Sequence, residues 1–185
     1  FSLAKIPLVI RESRVGSQQV FAVSAEAAQH GIQPGMTLKQ ARALCPQACF
    51  IPANPTRYQH ILKEISSLLA DFTTKVEPSG GQLAAIIYSD FGRLANTEQL
   101  ELAECLGQVV QERTRLAPAL GLATGKFPAH VAASSIGLKR ALFIAPGQES
   151  SFLAPFSVTH LPLDQELSYR FRLLGLRTLG QLAEL

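Results

Sequence analysis

The sequence predicts an α+β fold, and three observations carry that expectation. Short β-rich apolar runs recur between turn residues, at 7–12, 19–24, 48–52, 74–78, 83–89, 118–123 and 141–145. Two long stretches, 55–72 and 97–113, keep a helical period instead. Their order reads as a hairpin, then helices, then strand-strand-helix-strand-helix-strand, then a helical pair. A sheet domain interrupted by a mostly helical segment satisfies that order. A chain of 185 residues suffices for one large domain or two small ones, and 47% hydrophobic content suffices for a substantial core.

Each element follows from local chemistry. PLVIRE and QVFAVS pair as a hairpin across Arg14–Gln18, where Gly16 sits. Ala25–His30 forms a short helix stopped by Gly31. Thr37 caps a second helix, with Gln40 placed for a capping box, and Pro46 ends it. ACFIP at 48–52 is a strand. Asn54-Pro55 then opens a helix with a capping amide and a proline in the first turn. Tyr58, Ile61, Leu62, Ile65, Leu68, Leu69 and Phe72 give it one apolar face. Strands 74–78 and 83–89 join across Gly80-Gly81, with Leu83, Ile86 and Ile87 in the core. A helix runs from Thr97 to about Arg113, with Leu102, Leu106, Val109 and Val110 inward. Strand 118–123, a helix from Lys126 to about Ile136 and strand 141–145 follow. After Pro146-Gly147 the texture changes: Asp164 caps a helix with Leu167, Phe171 and Leu174 inward, closed by Gly175. Thr178 and Gln181 box a last one, with QLAEL at 181–185 continuing its core stripe.

No apolar run approaches the ~20 residues of a membrane span. Phe1 opens without Met or a basic leader, so no targeting peptide is expected and the chain is expected to begin partway through a longer protein. Cys45, Cys49 and Cys105 read as small buried hydrophobes of a reducing cytoplasm, because no His stands near Cys45 and Cys49 to complete a zinc set. The net charge is +3 but segregated. Between 113 and 148 stand Arg113, Arg115, Lys126, Lys139 and Arg140 and no acid. Such asymmetry suits one surface facing a polyanion.

Four stretches, taken in order, resemble the Y-family (translesion) DNA polymerases. GIQPGMTLKQARALCPQ resembles that family's fingers segment. KVEPSGGQLAAIIYSD is similar to its Val-Glu-Pro-x-Ser-x-Asp-Glu-Ala-x-x-Asp-Val palm strand. ALGLATGKFPAHVAA is similar to its Ser-Ile-Gly-Ile-Ala-x-Asn-Lys-x-x-Ala-Lys strand-helix, and LPLDQELSYRFRLLGLRTLGQLAEL resembles the start of its thumb. RLLGLRTLGQL most resembles the ImuB-like branch, homologues thought to serve as non-catalytic parts of a bacterial mutagenesis complex. The resemblance implies a ferredoxin-like ββαβαβ palm sheet. It also implies domains: a hairpin over 1–24 leading into the fingers, fingers over 25–73, palm over 74–156, and the start of the thumb over 157–185. The first palm strand would lie upstream, and the little finger would be absent.

Nucleotidyl transfer needs two Mg²⁺ held by carboxylates, which activate the primer hydroxyl and neutralise charge at phosphorus. The resemblance puts the family's Asp-Glu pair at Gln82 and Leu83, an amide and a hydrocarbon, and its later Asp at Ile87. It puts the Tyr and Arg that grip the triphosphate at Ala25 and Ala28, and a palm lysine at His130. Lys126 matches the lysine of the Asn-Lys pair, with Gly125 for the Asn. No catalytic residue and no cofactor are therefore expected, Mg²⁺ entering only if carboxylates elsewhere rebuild the site. Lys126, Lys139, Arg140 and Arg177 are the expected DNA contacts.

The expected function is a non-catalytic, DNA-binding scaffold of bacterial translesion synthesis, part of the SOS response. Its partners would be primer-template DNA, an active polymerase, a sliding clamp and a RecA-like accessory protein, at the nucleoid in the cytoplasm. Two alternatives stand beside it: a divergent active Y-family polymerase, and a protein-interaction module that no longer touches DNA.

Overall fold

A computed structural model describes residues 6–13, 16–79, 86–92, 96–138 and 140–185. These residues fall into two compact units, divided after Leu62.

The first unit is built on a three-stranded sheet, β1 (Leu8–Arg11), β2 (Val20–Val23) and β3 (Cys49–Pro52), in the order β2-β1-β3. β1 and β2 pair antiparallel, Val9 opposite Val23, with a register shift after Ile10. β3 lies parallel to β1, Leu8 opposite Cys49. A parallel partner needs a crossover, and α1 (Ala25–Gln29) and α2 (Leu38–Leu44) lie in it. Ser24 caps α1, its hydroxyl accepting from Ala27 N–H. The expected Thr37–Gln40 capping box closes α2. Val9, Val20, Ala27, Ile32, Leu38, Ala41 and Cys45 form the core beneath. α3 (Pro55–Ala70) starts as its sequence dictates, Asn54 Oδ1 accepting from Arg57 N–H at 3.0 Å.

In the second unit β4 (Val76–Ser79) and β5 (Ile86–Ser89) pair antiparallel, Glu77 opposite Tyr88. Gly80, Gly81, Gln82 and Leu83 lie outside the described residues. α4 (Asn96–Thr114) follows and buries Ala103, Leu106 and Val110. β6 (Leu120–Leu122) and β7 (Ala141–Phe143) run parallel, joined through α5 (Lys126–Ser135). α5 lies directly on β6 at Gly121: an added Cβ there would stand 1.9 Å from Ala129 O.

Three expectations need correction, and one helix was not foreseen. Cys105 is exposed, because it precedes Leu106 by one residue and so points about 100° away from the buried stripe. A short helix that the sequence did not suggest, α6 (Glu149–Leu153), follows Gly147. In α7 (Gln165–Leu173) Asp164 caps as expected, but Leu167 is 38% and Leu174 71% exposed. α8 (Leu179–Ala183) has its Thr178–Gln181 box and buries Leu179, yet Leu185 is 88% exposed, so QLAEL is not core. Backbone bonds and the buried Val158 and Leu179 tie the start of α8 to residues 154–158: Val158 N–H to Arg177 O at 3.0 Å, Leu179 N–H to Phe156 O at 2.8 Å, and Gly180 N–H to Ala154 O at 3.0 Å. No described helix is long and apolar enough to cross a membrane.

Candidate nucleic-acid interface

Within the second unit a cleft of about 850 Å³ opens between the β4–β5 pair, α4, and β6 with the first turn of α5. Its floor is apolar, from Leu69, Leu102, Ala103 and Leu106. Its rim carries two ion pairs. Lys75 Nζ stands 2.7 Å from Asp90 Oδ2 at the open end of the hairpin. The same carboxylate accepts from Gly92 N–H at 2.8 Å. The hydrogen bond from Lys75, then that amide, hold Asp90 below the usual carboxylate range. Asp90 in turn raises the Lys75 ammonium.

The second pair joins Lys126, the first residue of α5, to Glu77 on β4. The Lys126 ammonium also lies over the Tyr88 ring, 5.5 Å from its centroid. Antiparallel register places Glu77 and Tyr88 opposite one another, so both face the same side of the hairpin. Sequence reasoning singled out Lys126 but neither of its partners. The signal was present in the two strands it predicted, though the register could not be fixed across Gly80-Gly81. Ser89 also lines the cleft, and its Oγ is buried and has no hydrogen-bond partner among the described residues.

The other expected DNA contacts are dispersed. Arg140 is exposed and directly precedes β7, its carbonyl accepting from Leu120 N–H at 2.9 Å. Because β6 and β7 run parallel with Leu120 opposite Ala141, Arg140 stands at the start of that pair and Lys126 beyond its far end. Arg177 is exposed ahead of α8, its N–H bonded to Gln181 Oε1 at 2.8 Å. Lys139 lies outside the described residues. Ala25 and Ala28 present exposed methyl groups on α1, and neither can hold a phosphate. His130 is half-buried on α5. His160 stacks edge-on against Phe156 at 5.5 Å.

The described residues, with the side chains at 82 and 83, do not compose a two-metal site. Gln82 and Leu83, outside the described residues, supply one neutral amide and one hydrocarbon. The rim carboxylates Glu77 and Asp90 each face a lysine. Among the described residues no three His, Cys, Asp or Glu side chains gather where one ion could be held.

The impB/mucB/samB family matches residues 1–134. A DNA polymerase IV of Dehalococcoides mccartyi is 31% identical over 165 residues, 89% of this chain and 42% of the relative. A DNA polymerase IV of Xanthomonas axonopodis pv. citri is 30% identical over 168 residues, covering 89% and 46%. The chain thus spans less than half the length of these relatives. Among solved structures, DinB from Sulfolobus solfataricus superposes with a TM-score of 0.81 at 22% identity, over 99% of this chain and 54% of that one. An insertion ternary complex of Dbh DNA polymerase gives 0.78 at 22% identity, over 95% and 52%. The likeness to these polymerase structures shows a shared α+β fold.

Proposed function

The chain belongs to the impB/mucB/samB family, and from that membership we propose that it is a non-catalytic, polymerase-shaped DNA-binding scaffold of translesion synthesis, of the ImuB-like kind. The observation that carries the reading is Gln82-Leu83 at the two positions where the family resemblance puts metal-binding carboxylates. Two Mg²⁺ require hard anionic oxygens, and an amide beside a hydrocarbon offers neither charge nor a full ligand set. Ala25, Ala28 and His130 extend the same loss to the triphosphate grip. The scaffold takes the family's domain plan, with fingers over 25–73, palm over 74–156 and the thumb starting at 157. It binds primer-template DNA through Lys126, Lys139, Arg140 and Arg177, and leaves synthesis to an active polymerase recruited with a sliding clamp and a RecA-like accessory protein.

The test is primer extension by the full-length protein with Mg²⁺ and with Mn²⁺. We expect no extension from protein that is folded and DNA-bound. Extension that survives rigorous purification and is abolished by a mutation in its own palm overturns the reading. It would instead establish the alternative, an active polymerase whose carboxylates lie outside Gln82 and Leu83. The name DNA polymerase IV carried by the relatives favours that alternative.

A further inference from the structure

We propose that Glu77 and Tyr88 hold Lys126 in an internal contact that competes with nucleic-acid phosphate, so that Lys126 is a masked phosphate contact. The inference rests on the DNA-binding reading above. Lys126 lies in a stretch, 113–148, that contains no acid. Nothing near it in sequence can neutralise its charge. The fold instead brings a carboxylate from 49 residues away, on β4. The cross-strand neighbour of that carboxylate, Tyr88, supplies a π face to the same ammonium.

The contact is of a kind that phosphate can displace. The Lys126 and Glu77 side chains are 59% and 61% exposed, and exposed pairs are weak and screened by salt. A phosphate oxygen offers the ammonium the same charge-assisted bond that the Glu77 carboxylate offers. Duplex or single-stranded DNA offers many phosphates in a row, and its binding releases counterions that a lone carboxylate does not. Glu77 therefore acts as an internal competitor. It lowers the affinity of this surface for nucleic acid without removing the cation that binds it.

The experiment is a double-mutant cycle in which a fluorescein-labelled primer-template is titrated by anisotropy across a salt series. The proteins are the unmodified chain, Glu77→Gln, Lys126→Met and the double variant, each checked for an unchanged thermal transition. Glu77→Gln is isosteric at an exposed site, so folding is retained. We expect it to tighten binding about two- to fivefold at low salt. The salt slope should steepen by up to roughly 0.7–0.9, the equivalent of one phosphate. In the Lys126→Met background the same substitution should gain nothing beyond the general loss of one negative charge. An equal gain in both backgrounds overturns the proposal, because it reports bulk charge alone. Binding by the unmodified chain that Glu77→Gln leaves unchanged also overturns it, while the DNA-binding reading stands. No binding by any of the four overturns that reading, and this inference falls with it.

Discussion

Gly121 leaves no room for a side chain. An added Cβ would lie 1.9 Å from Ala129 O and 2.6 Å from Ala133 N, both backbone atoms of the helix above it. Neither can turn aside as a flexible side chain would. Gly121→Ala must therefore lift α5 off β6, and we expect a loss of about 2–3 kcal/mol in urea unfolding. Arg115 presents the opposite opportunity. It follows α4 with φ at 62°, the one non-glycine residue at positive φ among those described. A side chain there strains the left-handed turn that ends a helix. Arg115→Gly should stabilise by up to about 1 kcal/mol, read as a raised thermal midpoint. At this scale the sequence was uneven. Gly31 and Gly175 were legible as helix stops because their role is local, and both have positive φ. Gly121 was not, because what it accommodates is a helix turn eight to twelve residues on, and no periodicity reveals such an approach.

Elements were legible where their ends carry their own chemistry. Thr37 with Gln40, Thr178 with Gln181, Asn54 and Asp164 all cap as their spacing predicts. Asn54→Ala should cost about 1 kcal/mol, the worth of one capping bond, measured by thermal unfolding. What pairs with what was less legible: the parallel match of β1 with β3 rests on a crossover that no local signal announces. α6 escaped notice because its N-cap, Gln148, makes no side-chain capping bond, whereas the equally short α1 and α8 carry such bonds at their starts. The β4–β5 hairpin is the element whose stability should depend on pH. At its open end Asp90 bonds Lys75, and its backbone N–H reaches Lys75 O at 3.1 Å. Asp90 has its pKa depressed in the fold, so its contribution is complete above the unfolded carboxylate value. It is lost as pH falls through the folded value, that is, below about pH 4. In thermal scans down that range the unmodified chain should lose stability faster than Asp90→Asn. Parallel loss in the two proteins would show that the pair contributes nothing.

Across the whole molecule, charge segregation suggested one polyanion-facing surface, and topology divides it. The order of elements and the α+β class were readable from the sequence, because alternating periods report layers directly. The site was readable only in part. Residue types at 25, 28, 82, 83 and 130 carry the proposal that catalysis is lost. They say nothing of where the remaining cations point. β6 and β7 run parallel, so Arg140 at their start and Lys126 beyond their end are separated by the length of the strands. Three residues of strand amount to about 10 Å. Groups so far apart without shared partners act independently. The losses in DNA affinity from Arg140→Met and Lys126→Met should therefore add in the double variant. Their sizes should differ. Arg140 makes no ion pair with a described residue, and its removal should flatten the salt slope by up to roughly 0.9 on duplex DNA. Lys126 already faces Glu77, so its removal should flatten the slope by less. Equal and non-additive losses would instead mean that the two cations meet the same phosphates, as a single compact patch would require.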